Sequence, residues 1–367
     1  MINYIDFGMM QHMSENKITS GASRLEFVDI ARGIAIISVI LGHLSDQTIN
    51  HIVFTFHLPM FLYISGYFLN EKTPYKDFVK KKFKSLIIPY YVTCAAICLI
   101  SVVKSIIFGE KVLAQLFSWL FASLYGAGFI CTEPFYVPSI GGIWYLWATF
   151  WASITLRYLI TKKTPVRVIS VAAIFALSLI SKKYLFWFPL SIQAGGCSLL
   201  FMYIGWVIRQ KIHLLKTVKS GILCVLLLVP VSVWIWCVYN FKGFYISSCT
   251  ISNGILDIIG SIGGCLTVLI ISYQISLHSK ILSSALSFFG KNSLIVLCVH
   301  IVELSMLPWN ELLAIIFPDP VITSFRYMFA KISLKILIIF LTTFALVKIK
   351  ERLKANRHTK DLPTLAA

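Results

Sequence analysis

Apolar residues in this chain fall into long runs separated by short polar or basic breaks. Runs of roughly 17 to 25 residues, coiled as helices, are long enough to cross about 30 Å of hydrocarbon. The pattern places about ten of them. They run approximately Ile30 to Ser45, Ile52 to Leu69, Leu86 to Phe108, Gly142 to Ile160, Val166 to Ser181, Leu190 to Ile208, Ile222 to Tyr239, Gly254 to Ile275, Ser293 to Leu307 and Tyr327 to Val347. The stretch "LAQLFSWLFASLYGAGF", Leu113 to Phe129, is apolar but short and broken by glycine, and reads as an interfacial or re-entrant helix. The expected fold is therefore all-α: a polytopic membrane helix bundle of about ten spans plus that extra helix.

The breaks orient the bundle. "KDFVKKKFKS", "TKKTP", "RQKIHLLKTVK", "HSK" and "KIKERLKANRHTK" follow every second span, and "SKKY" after the fifth span is the one exception. Basic residues mark the cytoplasmic side, so both termini are expected there. Residues 1–22 are polar, carry no apolar signal core and read as a disordered cytoplasmic leader. Residues 23–350 form one membrane domain and 351–367 a basic cytoplasmic tail.

Composition agrees with this picture and narrows it. Of 367 residues, 58% are hydrophobic and only 13% charged, which excludes a soluble globule of this size. The net charge of +18 sits in clusters between apolar runs, where it meets anionic membrane lipids rather than nucleic acid. The nine cysteines form no CxxC pair, although Cys131 and Cys249 lie in segments placed outside, where a disulfide is conceivable. No internal repeat is visible, which removes one mark of a secondary transporter.

Chemistry enters where the pattern is violated. A charged group at mid-bilayer costs roughly 2.5–3.5 kcal/mol, so ionisable residues inside spans are functional candidates. "DIARGIAIISVILGH" carries Asp29, Arg32 and His43. Arg32 and His43 share a helical stripe about 16 Å apart along the axis, and Asp29 lies one turn from Arg32. An interfacial salt bridge accounts equally well for Asp29 and Arg32, whereas His43 is the natural general base. In "FTFHLPMFLYISGYFLN", His57 precedes Pro59, which loosens the helix, and Ser65 and Tyr67 flank a glycine. The short hairpin between the two spans sets His57 opposite His43, with a base and an orienting partner as the implied roles. A metal pair lacks further ligands.

Lys80, Lys81, Lys82 and Lys84 follow this hairpin; they anchor the cytoplasmic side and can also bind the phosphates of an anionic cosubstrate. In "GGIWYLWA", Trp144 and Tyr145 suit an aromatic belt at the lipid interface, and such rings also stack on sugars. In "FFGKNSLIVLCVHIVEL", Asn292 is placed to cap the following helix, and His300 shares a face with Glu303, an arrangement that serves packing or function.

Taken in order, "RLEFVDIARGIAIISVILGH", "FTFHLPMFLYISGYF", "KKKFKSLIIPYY", "GGIWYLWA" and "FFGKNSLIVLCVH" resemble the membrane acyltransferase family 3 over about Arg24 to Val347. The resemblance is to the branch of fucose 4-O-acetylase-like and related sugar O-acetyltransferases. Its most specific element is an arginine, ten residues and a histidine, met by Arg32 and His43. It implies a multi-pass protein of a bacterial cytoplasmic membrane that transfers acetyl from cytosolic acetyl-CoA to a hydroxyl of a cell-surface or lipid-linked glycan. Acetyl-CoA is then a cosubstrate, with no tightly bound cofactor and no metal. The resemblance makes His43 the base or a transient acyl carrier and Arg32 a donor ligand. Many relatives carry a soluble esterase-like domain after the spans, which this chain lacks, so a stand-alone enzyme is expected. The competing reading, a transporter of a glycan precursor, uses the same histidines as a proton relay.

Overall fold

The computed structural model describes residues 25–44, 47–218, 220–316 and 325–360, so the expected leader and the last residues of the expected tail lie outside it. The described chain is almost entirely helical. In order, the helices are α1 Glu26–Gly42, α2 Gln47–Val53, α3 His57–Tyr67, α4 Tyr75–Lys82, α5 Ile88–Phe108, α6 Val112–Tyr125, α7 Trp144–Leu159 and α8 Thr164–Tyr184. They continue with α9 Ile192–Lys211, α10 Ser220–Tyr239, α11 Ile255–His278, α12 Lys280–Lys291, α13 Ser293–Met306, α14 Trp309–Ile316 and α15 Phe325–Lys360. One antiparallel ribbon, β1 Phe244–Tyr245 with β2 Thr250–Ile251, ties the loop between α10 and α11.

Five stretches among the described residues are long and apolar enough to cross a membrane: Tyr75–Phe108, Thr164–Tyr184, Pro189–Leu214, Ile255–His278 and Phe329–Leu353. Counting α12 and α13, bent by 74°, as one broken span makes six, against the expected ten. The shortfall has identifiable causes. The expected first span is 17 residues of helix, the fourth only 16, the second is interrupted, and the seventh counts as a shorter apolar helix, Cys224–Tyr239. In the second, the chain turns between α2 and α3, and side chains satisfy the backbone there. The Thr55 hydroxyl donates to the Ile52 carbonyl (2.6 Å) and accepts from the Trp234 indole (2.8 Å). Such partners are what an irregular segment needs away from water. Conversely, the expected third span continues upstream without a break. A π turn, Phe83–Ile87, joins α4 to α5, so the lysine cluster rides on the same continuous helix.

Close packing of small residues holds the bundle together, since lipid gives helices little hydrophobic reason to associate. At Gly33 a side-chain carbon would fall 2.1 Å from the Leu286 carbonyl oxygen, and at Gly290 1.7 Å from that of Asp29. Helices α1 and α12 therefore cross backbone against backbone. Gly66 and Gly205 do the same for α3 and α9, each against a carbonyl of the other helix. A hydroxyl contact from Tyr63 to Ser261 (2.8 Å) links α3 to α11. Helix α7 is enclosed, and Arg157 near its end donates to the carbonyls of Glu71 and Thr73 (2.9 Å each). Exposed apolar residues, such as Val92, Leu99 and Ile106 on α5 and Ile169 and Leu177 on α8, lie on the outside, where hydrocarbon suits them.

All nine cysteines are free thiols, so Cys131 and Cys249 form no disulfide; Cys249 lies beside Cys197 of α9 instead.

Candidate active site

His43 ends α1. Its N–H still reaches the Ile40 carbonyl (3.2 Å), but its backbone has left the helix and its ring remains accessible. Gly42 beside it lets Val53 and Phe54 approach. The ring adjacent to His43 is that of His300 on α13, with ring centres 5.3 Å apart and planes tilted by 46°. His300 is fully buried and heads a chain of ionisable groups. Its Nδ1 donates to Glu303 (3.0 Å), and the other carboxylate oxygen of Glu303 accepts from Lys335 of α15 (2.7 Å). Lys335 also sits over the Trp309 ring, 4.7 Å from its centre. His300 Nε2 has no hydrogen-bond partner among the described residues.

A glycine turn closes the other side. Gly141 adopts φ +72°, a conformation that favours glycine, and begins the short 3₁₀ turn that feeds α7. A side-chain carbon added at Gly142 would lie 4.0 Å from His43 Nε2 and 2.9 Å from the tip of Ile301. The missing side chain lets the tip of Ile301 and the His43 ring pack against the turn.

His57 does not fill the place expected for it. The hairpin does bring it within electrostatic reach of His43, but its Nδ1 donates to the Val53 carbonyl at the break between α2 and α3, and Phe54 packs edge-on against it. His300 occupies the position beside His43 instead. Ser65 and Tyr67 lie eight and ten residues along α3 from His57, about 12 and 15 Å at 1.5 Å per residue. Tyr67 there lies within electrostatic reach of Arg209, at the end of α3 remote from the histidines. Neither hydroxyl stands beside the imidazole.

At the opposite end of α1, Arg32 pairs with the buried Asp29 (3.8 Å). Lys82 and Tyr145 lie within electrostatic reach of Arg32, so two cations and a phenol gather there. The other lysines of the cluster lie on a different face of the helix. Lys80, Lys81 and Lys84, with Asp77 and Ser85, line an open depression of 470 Å³, while half-buried Lys82 is turned inward and lies over Phe78. Asp77, Lys80, Lys81, Lys84 and Ser85 follow the three- and four-residue spacing of one helical stripe, and the rotation of about 100° per residue turns Lys82 away from it.

Trp144 and Tyr145 are buried, at 4% and 8% exposure, rather than forming a lipid-facing belt, because α7 is surrounded by other helices. Asn292 does not cap α13. It sits at the bend, and its side chain amide donates back to the Phe288 carbonyl (2.9 Å), closing α12. The site residue that sequence reasoning missed is Lys335, although an ionisable group within "KISLKILIIF" was itself a signal by the rule that selected His43.

The arrangement is one helix with a cationic group at one end and a paired histidine site at the other. A family model described as an acyltransferase domain, that of acyltransferase family 3, matches residues 25–348. The chain belongs to this family. No curated protein and no solved structure matches it. As a family 3 acyltransferase with several membrane-length helices, it is a multi-pass membrane enzyme that moves acyl groups.

Proposed function

We propose that this acyltransferase carries acetyl from cytosolic acetyl-CoA to a hydroxyl of an extracytoplasmic or lipid-linked glycan. The observation that supports this reading is the geometry of α1. Arg32, with Lys82 beside it, stands about 16 Å along the helix from His43, and the pantetheine arm of CoA is an extended chain of comparable length. The nucleotide phosphates bind at the cationic end, which is cytoplasmic in a bacterial cytoplasmic membrane with both termini inside. The thioester reaches His43 Nε2 past the glycine turn at Gly142. The sugar hydroxyl enters from the opposite face, loses its proton to His43 and attacks the thioester carbon. His57 supports this end, and Tyr145 lies along the path toward Arg32.

The test is transfer of radiolabelled acetyl from acetyl-CoA to glycan in membranes containing the protein. Label is expected in an alkali-labile ester, and His43→Ala is expected to lower its rate by roughly 10²–10⁴-fold. Label transfer that survives His43→Ala would refute the assignment. Passage of glycan across the membrane without any need for acetyl-CoA would favour a transporter instead.

A further inference from the structure

The donor path uses Arg32 and His43, but it leaves unexplained why three further ionisable side chains are buried behind His43. His300, Glu303 and Lys335 are 0%, 4% and 2% exposed, and they come from helices separated by a loop and by α14. Packing alone is a poor explanation, because a buried ion pair rarely repays the cost of leaving water. The hydrogen bonds give it direction. A carboxylate only accepts, so the proton of the His300–Glu303 bond sits on Nδ1, and in that tautomer Nε2 is the acceptor of the ring. That nitrogen is buried, has no partner among the described residues, and belongs to the ring adjacent to His43.

We propose that Glu303 and Lys335 are positioning residues that act through His300 to set the tautomer of His43. This inference rests on the acyl-transfer reading above. The two rings do not bond in this structure; in the reacting state His43 turns onto His300 and donates one ring N–H to its free Nε2, which leaves the other nitrogen of His43 unprotonated and facing the acceptor hydroxyl. In the reaction the hydroxyl O–H breaks as an N–H forms on His43. The alkoxide oxygen then bonds to the thioester carbon, the C–S bond breaks, and the imidazolium returns its proton to the departing thiolate. His43 ends as it began, and the carboxylate of Glu303, felt through His300, stabilises the imidazolium in between. Lys335 pairs with that carboxylate (2.7 Å) and holds it against His300; without the cation the buried carboxylate would be left without its counter-charge. His57 near His43 and Lys331 near Glu303 are further titratable groups that face this chain, and Tyr327 packs beside Trp309.

The test uses the full-length protein in lipid nanodiscs, with release of free CoA thiol from acetyl-CoA as the readout in the presence of a glycan acceptor. Glu303→Gln is expected to lower kcat by about 10²-fold or more while KM for acetyl-CoA stays within about twofold. Glu303→Asp is expected to recover part of the loss. The double variant Glu303→Gln/Lys335→Met removes both charges, so its thermal stability is expected to match the wild type while its turnover stays low. A double variant that turns over at the wild-type rate would assign the pair to packing, as would a loss confined to KM or failure of all three variants to fold. A wild-type protein that releases no thiol would instead remove the acyl-CoA reading itself.

Discussion

Lys82 and Lys84 are two residues apart, which sets them on nearly opposite faces of the helix, and exchanging each for glutamine separates two seats for the donor phosphates. Lys82 is half-buried beside Arg32, whereas Lys84 is exposed at the rim of an open depression. A phosphate about 4 Å from a cation gains about 4 kcal/mol at an effective dielectric of 20 and about 1 kcal/mol in bulk water. With half of Lys82 screened by solvent, a net contribution of about 1.5–2 kcal/mol is reasonable, and 1.4 kcal/mol corresponds to tenfold in affinity. Lys82→Gln is therefore expected to raise KM for acetyl-CoA by roughly 10–30-fold with kcat little changed. Lys84→Gln should raise it by less than about fivefold, an effect that fades in 0.5 M salt because exposed charges are screened. Steady-state thiol release at two salt concentrations measures both. A large KM effect at Lys84 together with none at Lys82 would move the phosphates out to the depression and break the proposed path along α1.

Gly33→Ala places a methyl group 2.1 Å from the Leu286 carbonyl oxygen, a backbone atom that cannot swing aside, so a loss of about 1–3 kcal/mol is expected as a lower melting temperature in detergent; an unchanged transition would refute the crossing of α1 with α12. Gly142→Ala asks only the tip of Ile301 to move, so thermal stability should hold while acyl transfer falls several-fold through the methyl in front of His43 Nε2; unchanged turnover would mean that the thioester does not approach from that side. His57→Phe removes the donor to the Val53 carbonyl at the helix break, and is expected to cost about 1–3 kcal/mol of stability while slowing transfer far less than His43→Ala. Equal kinetic losses at His57 and His43 would restore His57 as a direct partner.

Sequence made the helical class readable because hydrophobic runs and their basic breaks are properties of single segments. It also exposed Arg32, His43 and the His300–Glu303 pair, since a charge inside an apolar run is conspicuous wherever it occurs. What it concealed depends on neighbours. The turn between α2 and α3 is held by Trp234, far away in sequence. The partner of Glu303 is Lys335, 32 residues on, in another helix. Trp144 and Tyr145 look like belt residues until the helices around α7 bury them. Equally, the pairing of His43 with His300 rather than His57 follows from how α13 is aimed, which no local spacing records.

That aim comes from the 74° bend between α12 and α13. One arm of the bend grips the start of α1 through Gly290 and Leu286, and the other arm brings His300 to its end. The pair works as a caliper closed on α1, with Asn292 at its pivot. The gap between the two imidazoles is thus inherited from an angle set some distance away, so a residue that touches neither ring governs how they meet.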